Sequence, residues 1–108
     1  MIELTRKMVA EAALPLLDAG KLGRQVHPRA KLGYRMGATK SPCVIGAALP
    51  DDVATRIDKA FPGIFVTDIP ESIGVSINDR EWMSRAQRAH DAGEFGELRA
   101  HLLTGLEA

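Results

Sequence analysis

The sequence has a single cysteine, Cys43, so it can close no intramolecular disulfide. A small secreted domain would usually carry an even set of cysteines. Aromatic residues are scarce, at 5% of the chain, which leaves little from which to build a base-stacking platform. Neither sign of charge dominates: 14 Lys and Arg balance 14 Asp and Glu, so the chain as a whole is not a polyelectrolyte binder of nucleic acid. No apolar run approaches the roughly 20 residues needed to cross a bilayer. The stretch Met1-Ile2-Glu3-Leu4-Thr5-Arg6-Lys7 has no basic leader ahead of an apolar segment, and Leu106-Glu107-Ala108 carries no lipidation motif. The expected setting is a reducing cytoplasm. Catalytic and ligand signatures are also missing. There is no His-x-x-x-His, Cys-x-x-Cys, dinucleotide fingerprint or Gly-x-Ser-x-Gly elbow. Gly37-Ala-Thr-Lys-Ser-Pro-Cys43 lacks the second glycine that precedes the lysine of a phosphate loop, and no strand leads into it. No metal and no cofactor are expected.

What is present is the composition of an ordinary globular chain, 45% hydrophobic and 26% charged over 108 residues. That length fits one domain spanning 1–108 and can bury about two-thirds of its unfolded surface without staples. The periodicity predicts a mainly α fold of four to five helices. Residues 4–19 form the first, with Leu4, Met8, Ala12 and Leu16 on one stripe and Val9, Ala13 and Leu17 beside it. Thr5 is its expected N-cap and Gly20 its stop, while Pro15 predicts a kink or break near Glu11–Leu14. Residues 20–40, with five glycines and prolines, read as a loop with room for a short strand around Gln25–His27.

Ser41-Pro42 reads as a helix start, leading into a short apolar helix Cys43–Leu49. Pro50-Asp51-Asp52 opens another, with Val53, Ile57, Ala60 and Phe61 inward and Pro62-Gly63 as its end. Residues 63–77 admit two readings: a small hairpin through Asp68–Ser72, which would move the class toward α+β, or an irregular segment with one helical turn at Pro70–Ile73. Asn78-Asp79-Arg80-Glu81 predicts a capping box, with Asn78 capping a helix that runs to about Ala92 and stops at Gly93. Trp82, Ala86 and Ala89 face inward, with Met83 and His90 adjacent. A last helix from Glu94 to about Leu103 offers Phe95, Leu98 and Leu102.

Charge is unevenly distributed. Residues 1–50 hold eight Lys and Arg against three acids, and residues 51–108 hold six against eleven. The stretch 21–40 contains Lys21, Arg24, Arg29, Lys31, Arg35 and Lys40 with no acid. It is either a solvated loop neutralised within the fold or a basic patch for phosphate, RNA or an acidic protein surface. Asp51, Asp52 and Asp58 form the acidic counterpart.

A few residues could carry chemistry. Cys43 at a helix start would have a lowered thiol pKa and could act as a nucleophile with His27, His90 or His101 as base and Asp91 as orienter. The structural alternative is a packed core cysteine. His90 suits a helix C-terminus on dipole grounds alone, and Asn78, Asp79 and Glu81 are explained by capping.

Cys43-Val-Ile-Gly-Ala-Ala-Leu, followed by Ile77-Asn-Asp and Gln87-Arg-Ala-His-Asp91, resembles a group of small uncharacterised bacterial and phage proteins. These have an N-terminal Ala/Leu helix, a Cys-x-Ile-Gly-Ala helix start and a closing Gln-x-x-His-Asp helix. The resemblance implies a mainly helical fold in a bacterial or mobile-element setting and no activity. Within such a fold, His90 and Asn78 are expected to hydrogen-bond toward Cys43–Gly46 as a polar core network. The expected function is a small non-enzymatic interaction protein that docks on another protein or a nucleoprotein complex. A phage or prophage inhibitor of a host defence complex, such as an anti-CRISPR, would fit. The alternatives are a thiol- or His-dependent enzyme centred on Cys43 and a nucleic-acid binder acting through 21–40.

Overall fold

The computed structural model describes residues 2–22, 35–36, 41–42, 44–61 and 66–107. Among them are four α-helices: α1 (Arg6–Asp18), α2 (Asp51–Ala60), α3 (Arg80–Asp91) and α4 (Phe95–Gly105). Two short strand pairs accompany them. β1 (Ile2–Leu4) runs parallel to β4 (Val75–Ile77), and β2 (Arg35–Met36) runs antiparallel to β3 (Ser41–Pro42). The fold is mainly α with a small β part. None of the described helices is long and apolar enough to cross a membrane.

Thr5 starts α1 as its position predicts, its hydroxyl accepting the Met8 N–H at 3.2 Å. Gly20 ends the helix in the left-handed region at φ +69°, where only glycine is free of a Cβ penalty. The Gly20 and Lys21 amides bond back to the Leu17 and Leu16 carbonyls, the two bonds of a Schellman stop. The break expected at Glu11–Leu14 does not occur. α1 runs unbroken through these residues, and Pro15 and Glu11 both lie on its exposed side. The buried stripe is Val9, Ala10, Ala13 and Leu14, one position round from the Met8–Ala12–Leu16 stripe predicted.

The segment ahead of α1 is a strand, not the first turn of a helix. Ile2, Glu3 and Leu4 pair with Val75, Ser76 and Ile77. The alternating Val75–Ile77 run finds its partner at the N-terminus, and the expected hairpin turn through Asp68–Ser72 is instead flanked by two 3-10 turns, Val66–Asp68 and Glu71–Ile73; residues 63–65 of the expected hairpin lie outside the described residues. The helical-turn reading is right: a 3-10 turn spans Glu71–Ile73, and Gly74 at φ +95° turns the chain into β4.

The reading of Ser41-Pro42 as a helix start is also wrong. Those residues pair with Arg35–Met36, and the first helical turn comes later, as a 3-10 turn at Gly46–Ala48. The expected burial holds, with Val44, Ile45, Gly46 and Leu49 inside. α2 follows, burying Val53, Ala54 and Ile57, while Ala60 and Phe61 stay exposed contrary to the predicted stripe.

The core is one cluster fed by all four helices, the β1–β4 pair and the segments beside α2, with Leu4, Val9, Ile45, Ile57, Val75, Met83, Leu98 and Leu102 fully buried. Arg6 sits beside Gly105, and Asp18 beside Arg99, so α1 and α4 run in opposite directions. Their close approach depends on Gly105. A Cβ there would stand 2.8 Å from Trp82 Cζ2, 3.0 Å from the Arg6 carbonyl and 3.1 Å from Ala10 Cβ.

Candidate functional site

The site is built on the α3–α4 hairpin, so the start of α3 comes first. Asp79, not Asn78, caps this helix: its Oδ1 accepts the Trp82 N–H at 3.2 Å, and its backbone is left-handed at φ 52°, ψ 70°. The reason is tertiary. The Asn78 amide is still in the sheet, donating to the Leu4 carbonyl at 2.9 Å, so the turn into the helix falls to the next residue. Asp is among the few residue types that tolerate this region. Glu81 forms no return bond of a capping box and pairs with Arg85 at 3.1 Å instead. Asp79 Oδ2 also meets Arg6 Nε at 3.5 Å, tying the start of α3 to the start of α1.

The inner face of α3 carries two buried polar side chains, Gln87 and His90, three residues apart. Gln87 Oε1 accepts the Val66 N–H at 2.7 Å, and His90 Nδ1 accepts the Val44 N–H at a longer 3.4 Å. Together they hold the two chain segments on either side of α2. The expected contact of His90 with the Cys43–Gly46 segment is thus present at Val44. Asn78 takes no part in it, being exposed and bonded to Leu4. The anchoring role of Gln87 was not foreseen, although its spacing from His90 on one helix face is its signal.

At the other end of α3, Trp82 is buried and joined to α4. Its Nε1 donates to Thr104 Oγ1 at 3.0 Å, and its ring stacks on that of His101 with centroids 4.7 Å apart. His101 Nε2 lies 2.9 Å from the Trp82 carbonyl; a carbonyl only accepts, so this nitrogen carries the proton.

Outside this joint, the two helices form an open groove of about 460 Å³. Its α3 wall is basic, with Arg85 and Arg88, and its α4 wall is acidic, with Glu94 and Glu97. Ala89 and Ala92 lie between, and His101 closes one end. A smaller recess of about 180 Å³ continues past Arg85 and His101 to Asp79, Glu81 and Trp82. The four wall charges are exposed. A hydrogen bond to Glu97, reinforced by repulsion between the two carboxylates, holds the Glu94 carboxyl above the usual glutamate range. Asp91, at the end of α3, is also raised above its ordinary value, by desolvation.

Cys43 lies outside the described residues, and so do Arg24, Arg29, Lys31, Lys40 and His27. Only the backbone of Arg35 is described, in β2. Lys21 is exposed just past α1. Asp51 and Asp52 occupy the exposed first turn of α2, where the helix dipole favours them, and Asp58 is half-buried further along. His90 is buried and Asp91 exposed, so they do not share a face. His101, another proposed base, is committed to Trp82. Among the described residues, no group of three or more His, Cys, Asp or Glu is arranged to hold a metal ion. Sequence reasoning missed the groove residues, whose signal is the three-residue spacing of Arg85 with Arg88 and of Glu94 with Glu97. Compared with protein-family models, curated proteins and solved structures, the chain matches none.

Proposed function

We propose that the protein is a non-enzymatic interaction protein that docks on another macromolecule through its charged surface. The observation that supports this reading most is the α3–α4 groove, in which exposed charges of opposite sign are sorted onto two walls over a small apolar floor. Complementary charge of this kind serves partner choice and encounter rate better than it serves turnover. The residues Lys21, Arg24, Arg29, Lys31, Arg35, Lys40, Asp51, Asp52 and Asp58 would add to the docking surface outside the groove. The resemblance to small bacterial and phage proteins extends the proposal to a cytoplasmic inhibitor of a host defence complex.

The test is affinity capture from the native host lysate with and without nuclease, followed by reconstitution with the purified partner. A protein retained after nuclease, released by salt and rebound when purified supports the reading. Retention that vanishes with nuclease replaces it with nucleic-acid binding through 21–40. No retained macromolecule under either condition overturns docking and returns attention to Cys43, where fast thiol labelling of the native protein would favour an enzyme.

A further inference from the structure

We infer that His90 is an acid-sensitive latch on the segment 44–49: the neutral ring holds this segment through Nδ1, and a proton gained there releases it. Three observations carry the inference. First, the direction of the bond is fixed. A backbone N–H only donates, so the Nδ1 that meets the Val44 N–H at 3.4 Å is the unprotonated ring nitrogen, and the neutral ring carries its hydrogen on Nε2. A proton on Nδ1 would set two donors against each other. Second, the site is dry: His90 is 4% exposed, and Val44 and Ile45 are fully buried. Burial penalises the charged ring, and an amide left without its acceptor there is costly. Third, the same helix face carries a counterpart that does not titrate. Gln87 holds the Val66 N–H through Oε1 at 2.7 Å, and an amide side chain keeps its acceptor in acid. Acid therefore acts on one of the two anchored segments and spares the other.

The surroundings of His90 supply no opposing charge from the elements that touch it. Residues 44–49 include no charged side chain, and α4 presents the Phe95 ring, with its centroid 6.1 Å from that of His90. On α3 itself Arg88 and Asp91 are exposed, and so is Glu94 just beyond it. Cys43 precedes Val44 in the chain, and a thiol ordinarily titrates at about 8.5, above the range of imidazole. The sign follows by linkage. The open segment leaves His90 free to take a proton that the closed one refuses. Closure is therefore at full strength above about pH 6.5, where imidazole is neutral in either state, and weakens as pH falls below that value.

The experiment is amide hydrogen exchange on the full chain between pH 7.5 and 5.5, with each rate divided by the intrinsic rate at that pH. Protection at 44–49 should fall roughly tenfold over this range, the gain in opening expected when an imidazole titrating near 6.5 takes its proton only in the open form. Protection at 66–69 should stay level. His90→Asn places a carbonyl oxygen close to the position of Nδ1 and does not titrate, so it should abolish the fall. Nitrogen-15 shifts of the His90 ring in the wild-type chain at pH 7.5 read the tautomer directly and do not depend on the variant folding. A hydrogen on Nδ1 at pH 7.5 overturns the inference. So does level protection at 44–49, an equal fall at 66–69, or a fall that persists in His90→Asn.

Discussion

Trp82 and His101 hold each other reciprocally. The His101 ring donates to the Trp82 backbone carbonyl at 2.9 Å and stacks on the Trp82 ring, whose Nε1 returns to Thr104 of the same helix at 3.0 Å. Thr104 in turn donates to the His101 carbonyl at 2.5 Å, closing the loop. This joint fixes the spacing of α3 and α4 and hence the width of the groove beside it. A double-mutant cycle of Trp82→Phe with His101→Ala should give a coupling of about 0.5–1.5 kcal/mol. Urea unfolding of the four chains measures it, and additive effects would mean that the contacts do not act together.

Gly105 and Gly93 should respond differently to alanine. At Gly105 an added methyl meets the Trp82 ring and the Arg6 backbone, so Gly105→Ala should cost about 1–3 kcal/mol and loosen the α1–α4 contact. At Gly93 nothing stands within 4 Å, and only the positive φ of +73° opposes the change, so the cost should be nearer 1 kcal/mol. Thermal melts of the two variants rank them, and a lower melting temperature for Gly93→Ala than for Gly105→Ala would contradict the packing described.

His90 and Gln87 should matter through the amides they satisfy. His90→Ala and Gln87→Ala each leave a buried N–H without its acceptor, at Val44 and Val66, for about 1–3 kcal/mol. Hydrogen exchange should show faster exchange local to 44–49 in the first and to 66–69 in the second. An unchanged melting temperature in His90→Ala would remove His90 from the core network.

Asp91 sets a pH dependence whose sign follows from its raised carboxyl. The native state holds this proton more tightly than the unfolded chain, so the contribution of Asp91 is most favourable below its ordinary value of 3.8 and is lost as pH rises through the native value. At pH 7 the ionised group is therefore unfavourable. Asp91→Asn should melt at a slightly higher temperature than wild type at pH 7, with the gain shrinking toward pH 3.8. A lower melting temperature at pH 7 would show that the charge is compensated.

Local signals in the chain located most of the helices. Thr5 and Gly20 bracket α1, and Gly93 ends α3, because a cap or a positive φ acts within one turn and needs no distant partner. Pro15 did not break the helix as its type allows, because the cost of one missing donor is set against the packing of the whole of α1, which no local pattern contains. Ser41-Pro42 carries a sound helix-start pattern that β pairing with Arg35–Met36 overrides. Asn78 and Asp79 were both suitable caps, and the choice fell to Asp79 because Leu4, far away in the chain, claims the Asn78 amide.

What the sequence determined alone is the helical class, the turn punctuation, the inward placement of Trp82 and Ala86 (Ala89, expected beside them, is half-buried), and the uneven charge of its two halves. Those properties follow from residue type and short-range spacing. Tertiary structure decided the pairing of β1 with β4, the identity of the α3 cap, the anchoring of two loops by Gln87 and His90, and the meeting of a basic wall with an acidic one. Each of these joins groups that are remote in the chain or that sit on different helices. Their energies depend on the relative placement of whole elements, which no local pattern encodes.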